Sequence, residues 1–151
     1  MGFFDGYNVA TSGMSAQRTR INTVSSNIAN AQTTHSADGG PYKKQNVVFE
    51  EILLNKKAAK NDFSSKSNTH TPLPSIGVGV REIVDAKGQP VLRYEPTHPD
   101  ANKDGYVAYP DINPVIEMTD LIEAMRSYEA NLSAFKTQKT MDTKTIDILK
   151  G

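Results

Sequence analysis

The stretch MTDLIEAMRSYEANLSAF, residues 118–135, sets Met118, Leu121, Met125, Tyr128, Leu132 and Phe135 at alternating steps of three and four. Such steps return each large apolar side chain to one side of an α-helix, the pattern of a helix packed along another. Lys139, Asp142, Ile146 and Leu149 carry the same steps onward, and the polar pair Lys139 and Asp142 predicts a local loosening or a register device. Charges of both signs alternate around the seam at Glu123, Arg126, Glu129, Lys136 and Lys139, as on an exposed coiled-coil face. Asn113 ahead of Pro114 supplies a capping amide and a proline for the first helical position. The reading is one long C-terminal helix over residues 113–151.

The other end of the chain repeats the pattern. Phe3, Tyr7, Ala10, Met14, Gln17, Ile21, Val24, Ile28 and Ala31 keep the same spacing, with Gln17 as its polar interruption. Asp5 is placed to cap this helix and Phe4 to staple onto Val9, so a helix is predicted from about Gly6 to about Gln32. Its other faces carry Thr11, Ser12, Asn22, Thr23, Ser25, Ser26 and Asn27, which favour helix weakly, so the isolated segment should be marginal in water. The pattern ends on SSNIANAQTT, residues 25–34, which holds no charge and brackets Ile28 with Asn27 and Asn30. Amides donate and accept hydrogen bonds without the burial cost of a charge. Asn27 and Asn30 are therefore expected to meet backbone where the chain turns out of the helix, or a neighbouring subunit.

All eight prolines fall between Pro41 and Pro114, so both ends are free of helix breakers and the middle is full of them. The chain divides on this basis into residues 1–34, 35–112 and 113–151. Within the middle, Gly39-Gly40-Pro41-Tyr42-Lys43-Lys44 is a turn leading into an apolar run of uncertain type over 45–54. Residues 55–75 are polar and read as a mobile loop. Residues 76–85 alternate like a strand, Lys87-Gly88 turns, and Val91 to Tyr94 returns, which predicts a β-hairpin. The expected fold is mainly α: N- and C-terminal helices forming an antiparallel coiled coil, with a small hairpin-containing middle segment.

Composition bounds what such a chain can do. Lys plus Arg and Asp plus Glu are 17 each in 151 residues, and this balance offers no footprint for nucleic acid or an anionic membrane. Hydrophobic residues make up only 37% and Trp is absent, a thin supply for a core of this length, so either much of the chain is extended or disordered or partners complete the core. Cysteine is absent, which excludes disulfides, thiol catalysis and Cys-zinc sites. No run approaches the ~18 apolar residues of a membrane span. Met-Gly-Phe-Phe-Asp-Gly at the start lacks the basic and apolar regions of a cleaved signal, and Gly6 breaks the myristoylation pattern. Taken alone, these features point to the cytoplasm.

The chemical motifs are weak. Asp100, Asn102, Asp104 and Gly105 match the first half of a calcium loop, with Asp111 in the place of its bidentate glutamate. Pro96 and Pro99 forbid an entering helix and Pro110 and Pro114 delay an exiting one, so an Asx-rich turn is the better reading. His35, His70 and His98 form no paired motif, Gly77-Val78-Gly79 is too short to cradle a phosphate, and no serine sits in a nucleophile elbow. No catalytic, cofactor or metal site is expected. The methionines and aromatics of the two seams read as helix packing at strict heptad spacing rather than as the lining of a cofactor pocket.

Taken together, the segment from Asn27 to Thr33, Gly39 to Lys44, Tyr94 to Asn102, Gly105 to Asn113 and Met118 to Asn131 resemble the bacterial flagellar rod and hook proteins, and within them a component of the proximal rod. The resemblance covers the chain outside residues 55–75. Two local departures are visible: Thr34-His-Ser-Ala-Asp precedes Gly39 where the family places a glycine and an aromatic sooner, and the loop after Asn55 is long. The resemblance implies a structural subunit that is exported by the flagellar type III apparatus without a cleaved signal and assembles in the periplasm. It implies as partners other proximal and distal rod proteins, the adaptor between rod and MS ring, and copies of the chain itself. The cytoplasmic reading then gives way to the flagellar basal body. Met14, Ile21, Val24, Ile28, Met118, Leu121, Met125, Tyr128, Leu132 and Phe135 become the expected assembly seam, with Asn27 and Asn30 as the signature.

Overall fold

A computed structural model describes residues 5–36, 39–54 and 75–150. Two terminal helices dominate: α1 spans Asp5–Ala29 and α2 spans Pro114–Lys150. Between them lie four strands, β1 Gln45–Leu53, β2 Ile76–Asp85, β3 Val91–Tyr94 and β4 Tyr106–Tyr109. The polar stretch expected as a loop lies, apart from Ser75, outside the described residues, as do Phe3 and Phe4.

The helix ends follow from local chemistry. Asn113 caps α2 through its Oδ1, which accepts the Val115 N–H at 3.0 Å, while its carbonyl accepts the Glu117 N–H at 3.1 Å. Pro114 takes the first position, where a missing N–H costs nothing, and Glu117 and Lys150 place charges favourably at the two ends of the helix dipole. At the end of α1, Asn30 Nδ2 donates to the Ser26 carbonyl at 2.9 Å, and Thr33 N donates to the Asn30 carbonyl at 3.0 Å. The Ser26 carbonyl also accepts the Asn30 N–H at 3.0 Å and the Ile28 carbonyl accepts the Ala31 N–H at 3.3 Å, so the last turn is closed. Gly39 and Gly40 then turn the chain at φ of 80° and 84°, which only glycine adopts at no steric cost.

The strands pair differently from the sequence expectation. β2 pairs with β1 and not with β3; β3 pairs instead with β4, antiparallel, with Val91 opposite Tyr109 and Tyr94 opposite Tyr106. The predicted 76–94 hairpin is therefore corrected. β1 offers β2 a partner of nearly its own length, whereas β3 has four residues. Closing the longer connection between β1 and β2 adds little, because loop entropy grows only logarithmically with length.

The chain forms two compact units, each drawing on both helices and on the middle segment. One holds Met1–Arg18, Phe49–Arg81 and Met125–Gly151. There α1 and α2 run antiparallel, with Gly6 facing Gln138 and Gly13 facing Asn131. The Tyr7 ring stands edge-on to Phe135 at 5.0 Å, and its hydroxyl donates to Asp142 Oδ2 at 2.6 Å. Ala10, Gly13 and Ala16 present a small buried face to this contact. A Cβ at Gly13 would lie 2.9 Å from the Asn131 amide, so glycine permits the close approach. β1 and β2 are antiparallel here, with Leu54 beside Gly77 and Ile52 beside Gly79. Ser12 Oγ ties β2 to α1 by accepting the Val78 N–H at 3.2 Å while donating to the Val9 carbonyl at 2.7 Å.

The other unit holds Thr19–Val48 and Glu82–Ala124. Arg20 lies 3.7 Å from both Asp120 and Glu123, and Asn27 meets Glu117, so the helices are antiparallel here too. Val107 of β4 and Ala124 of α2 are fully buried. Tyr94 and Tyr106 pack edge to face directly across the β3–β4 ladder at 5.3 Å, and Arg93 lies over the Tyr109 ring at 4.7 Å.

Candidate functional site

The centre of the second unit is a buried polar cluster around Asn27. Its side chain is 1% exposed and makes four hydrogen bonds, two as donor and two as acceptor. Nδ2 donates to the Gln45 carbonyl at 2.9 Å and to Glu117 Oε2 at 3.1 Å; Oδ1 accepts from the Gln45 N–H at 2.9 Å and the Tyr42 hydroxyl at 3.1 Å. The full capacity of an amide is used. Glu117, itself 1% exposed, is ion-paired through Oε1 with Lys44 Nζ at 2.6 Å. Two helices and the start of β1 are thus fastened at one point. Burial of Glu117 is tolerable because a cation and an amide meet its two oxygens.

Asn30, the other asparagine expected to act with it, plays a smaller part. It is half-buried and bonds only near itself, to the Ser26 carbonyl and to Thr33 Oγ1 at 3.1 Å. Tyr42, Lys44, Gln45 and Glu117 were not singled out from sequence. For Glu117 a signal existed. Glu117, Leu121, Ala124, Tyr128, Asn131, Phe135, Gln138 and Asp142 also run at steps of four and three. All eight are buried or half-buried, as are Asp120, Ser127 and Leu132 beside them.

The expected seam residues are placed as follows. Val24 is buried, and Met14, Ile21, Ile28, Leu121, Tyr128, Leu132 and Phe135 are half-buried. Met118 and Met125 are exposed, one position round α2 from Glu117 and Ala124. With Val115 and Ile122 they form a second apolar stripe at steps of three and four on the outside of that helix.

Elsewhere the sequence motifs resolve into local structure. Asn102 Oδ1 accepts the N–H groups of Asp104 and Tyr106, each at 2.9 Å, an Asx turn, and Gly105 follows at φ 81°. Asp100 Oδ2 accepts the Thr34 hydroxyl at 2.7 Å. Among the described residues no group of three or more His, Asp or Glu converges as a metal site, and no helix is long and apolar enough to cross a membrane. Two phenols are shifted. Tyr7 titrates above its ordinary 10.0, because its hydrogen bond to Asp142 and partial desolvation favour the protonated form, and Tyr109 does so through Glu95. The arrangement fastens helices and strands.

Comparison with known proteins agrees at both ends of the chain. Residues 8–34 match the family described as flagella basal body rod protein, and residues 103–148 match the C-terminal family of the flagellar basal body rod FlgEFG proteins. The flagellar basal-body rod protein FlgC of Borreliella burgdorferi is 40% identical over 157 aligned residues, covering 100% of each chain. Those of Aquifex aeolicus and Bacillus subtilis are 39% and 36% identical, with at least 97% of each chain covered.

Proposed function

This chain belongs to the family of the flagellar basal-body rod protein FlgC, structural subunits of the rod, and from that premise we propose how it works there. It is a subunit of the proximal rod, without enzymatic activity. Its two helices pair as an antiparallel coiled coil, and copies pack helically with related rod proteins, proximal and distal, and with the adaptor that joins the rod to the MS ring. The resulting tube transmits torque and forms part of the wall of the export channel. The subunit reaches this place through the flagellar type III apparatus and assembles in the periplasm, with the segment between the helices on the outer side.

The observation that carries this reading is the unpaired apolar stripe of α2. Val115, Met118 and Ile122 are 71%, 52% and 53% exposed, on a helix whose other side is already engaged. A face of this kind seeks a partner of matching chemistry. Repetition of many such contacts stiffens a shaft beyond what one small, polar core can supply.

The test is incorporation. Tagged wild-type chain should be found in purified basal bodies, and Ile122→Asp should be exported yet missing from them, leaving cells non-motile. Normal swimming of Ile122→Asp cells, or basal bodies devoid of the wild-type chain, would overturn the proposal.

A further inference from the structure

Strand β3 has β4 on one side and, among the described residues, no strand on the other. In an antiparallel pair, backbone groups point toward the partner strand and away from it at alternate residues. Glu95 donates its N–H to the Gly105 carbonyl at 2.9 Å, so Arg93 and Val91, which share its parity, also face β4. Tyr106, opposite Tyr94, turns the other way. Its N–H donates to Asn102 Oδ1 and its carbonyl accepts the Asn102 N–H, both at 2.9 Å and both on the side away from β3. The N–H and C=O groups of Tyr94, and of Leu92 two residues earlier, therefore point outward from β3. Among the described residues no backbone partner meets them there. The Leu92 and Tyr94 side chains are 62% and 65% exposed on the outer face of the ribbon, beside Tyr106, while Val107 on the inner face is fully buried.

We propose that this edge takes up a short extended segment of a neighbouring polypeptide in the rod, which adds to β3 as a further strand. The inference rests on the rod-subunit reading and names one contact within it. Donors and acceptors alternating at strand spacing fit another extended backbone; a helix has its own backbone groups bonded internally. A free edge is commonly guarded by a lysine, a bulge or a proline within the strand. The sequence VLRY holds neither lysine nor proline, and its register with β4 is unbroken. Prolines stand instead at the next outward positions on either side, Pro90 and Pro96, which have no N–H to offer. The open window is thus Leu92 to Tyr94, and the added strand is short. Charge does not select it, because Arg93 already lies over the Tyr109 ring and Glu95 Oε2 already accepts the Tyr109 hydroxyl at 3.0 Å. Selection falls to backbone pairing and to apolar side chains that meet Leu92, Tyr94 and Tyr106 on the outer face.

The test reads amide hydrogen exchange in the full-length wild-type chain, isolated and in purified basal bodies. Pairing with β4 alone slows the amides of Val91, Arg93 and Glu95; an added strand slows those of Leu92 and Tyr94 as well. The expected result is free exchange at Leu92 and Tyr94 in the isolated chain and loss of that exchange in basal bodies. A pair of variants then separates backbone from side chain. Leu92→Pro deletes one outward N–H and leaves the bonds to β4 in place, whereas Leu92→Thr retains the N–H and suits a strand. The first should be exported yet missing from basal bodies, and the second incorporated. Free exchange of both amides in basal bodies overturns the proposal, as does full incorporation of Leu92→Pro. Protection of both amides in the isolated chain overturns the open edge, and loss of Leu92→Thr together with Leu92→Pro overturns backbone pairing as its cause. The exchange measurement needs no variant, so it decides the matter even for a Leu92→Pro chain that does not fold. Absence of the wild-type chain from the basal-body fraction overturns instead the rod-subunit reading beneath it.

Discussion

Asn27 Nδ2 and Glu117 Oε2 lie 3.1 Å apart with each side chain 1% exposed, so the end of α1 is held directly by the first turn of α2. Through Gln45 and Lys44 the same pair also sets where β1 begins. Satisfied polar clusters of this sort orient a fold because any other arrangement leaves buried groups unpaired.

Asn27→Leu retains the volume but removes all four hydrogen bonds, orphaning groups of Gln45 and Tyr42 and one oxygen of Glu117. At about 1–3 kcal/mol for each buried group left unpaired, the loss should exceed ~3 kcal/mol. Asn30→Ala removes only two local bonds on a half-buried residue and should cost about 1 kcal/mol. Incorporation into basal bodies should therefore fall sharply for Asn27→Leu and little for Asn30→Ala. Equal incorporation would mean that the buried network does not govern assembly.

Lys44→Met strips the buried Glu117 carboxylate of its cation. The expected cost is about 3 kcal/mol, at the low end for a broken buried pair because the ammonium is partly exposed. Adding Glu117→Gln removes the stranded charge and preserves an oxygen for Asn27, so the double variant should recover much of that loss. Melting midpoints followed by far-ultraviolet circular dichroism give the coupling directly. A double variant no more stable than Lys44→Met would refute the pairing.

Gly13→Ala sets two effects against each other. Alanine favours a helix interior by ~1 kcal/mol over glycine, but its Cβ would meet the Asn131 amide at 2.9 Å and displace it from the Ser127 carbonyl. Overpacking typically costs about 1–3 kcal/mol, so the single variant should be no more stable than wild type. With Asn131→Ala the obstruction is gone and the propensity gain remains. The double variant should melt above Gly13→Ala, and the reverse order would contradict the close helix contact.

Tyr7 should titrate above 10.0, and Asp142→Asn should bring it back toward that value, because the hydrogen-bonded carboxylate is the leading cause of the shift. The sign follows from linkage. A phenol whose pKa is higher folded than unfolded binds its proton more tightly in the folded chain. Its contribution is complete below pH 10 and is lost as pH rises through the folded value. Ultraviolet titration at the tyrosinate band compares the variant with wild type. Tyr109, shifted in the same direction by Glu95, provides a control that Asp142→Asn should leave unchanged.

Much of this was legible without a structure. Two proline-free ends with three-four spacing specified two long helices, and Asn113-Pro114 marked where the second begins. The period alone determines that Leu121, Tyr128 and Phe135 share one side of α2, since that follows from 3.6 residues per turn. It does not determine which flank of that line turns inward. Tertiary packing chose Glu117, Ala124 and Gln138 over Met118, Met125 and Lys139, one position or about 100° away, while Asn131 and Leu132 are both half-buried. Gly6 and Gly13 of α1 leave room for Gln138 and Asn131, and Lys44 and Asn27 compensate the buried Glu117 carboxylate. Strand pairing was decided the same way. The alternation in 76–85 identified a strand, but the choice of β1 over β3 depended on a partner distant in sequence, which no local pattern encodes.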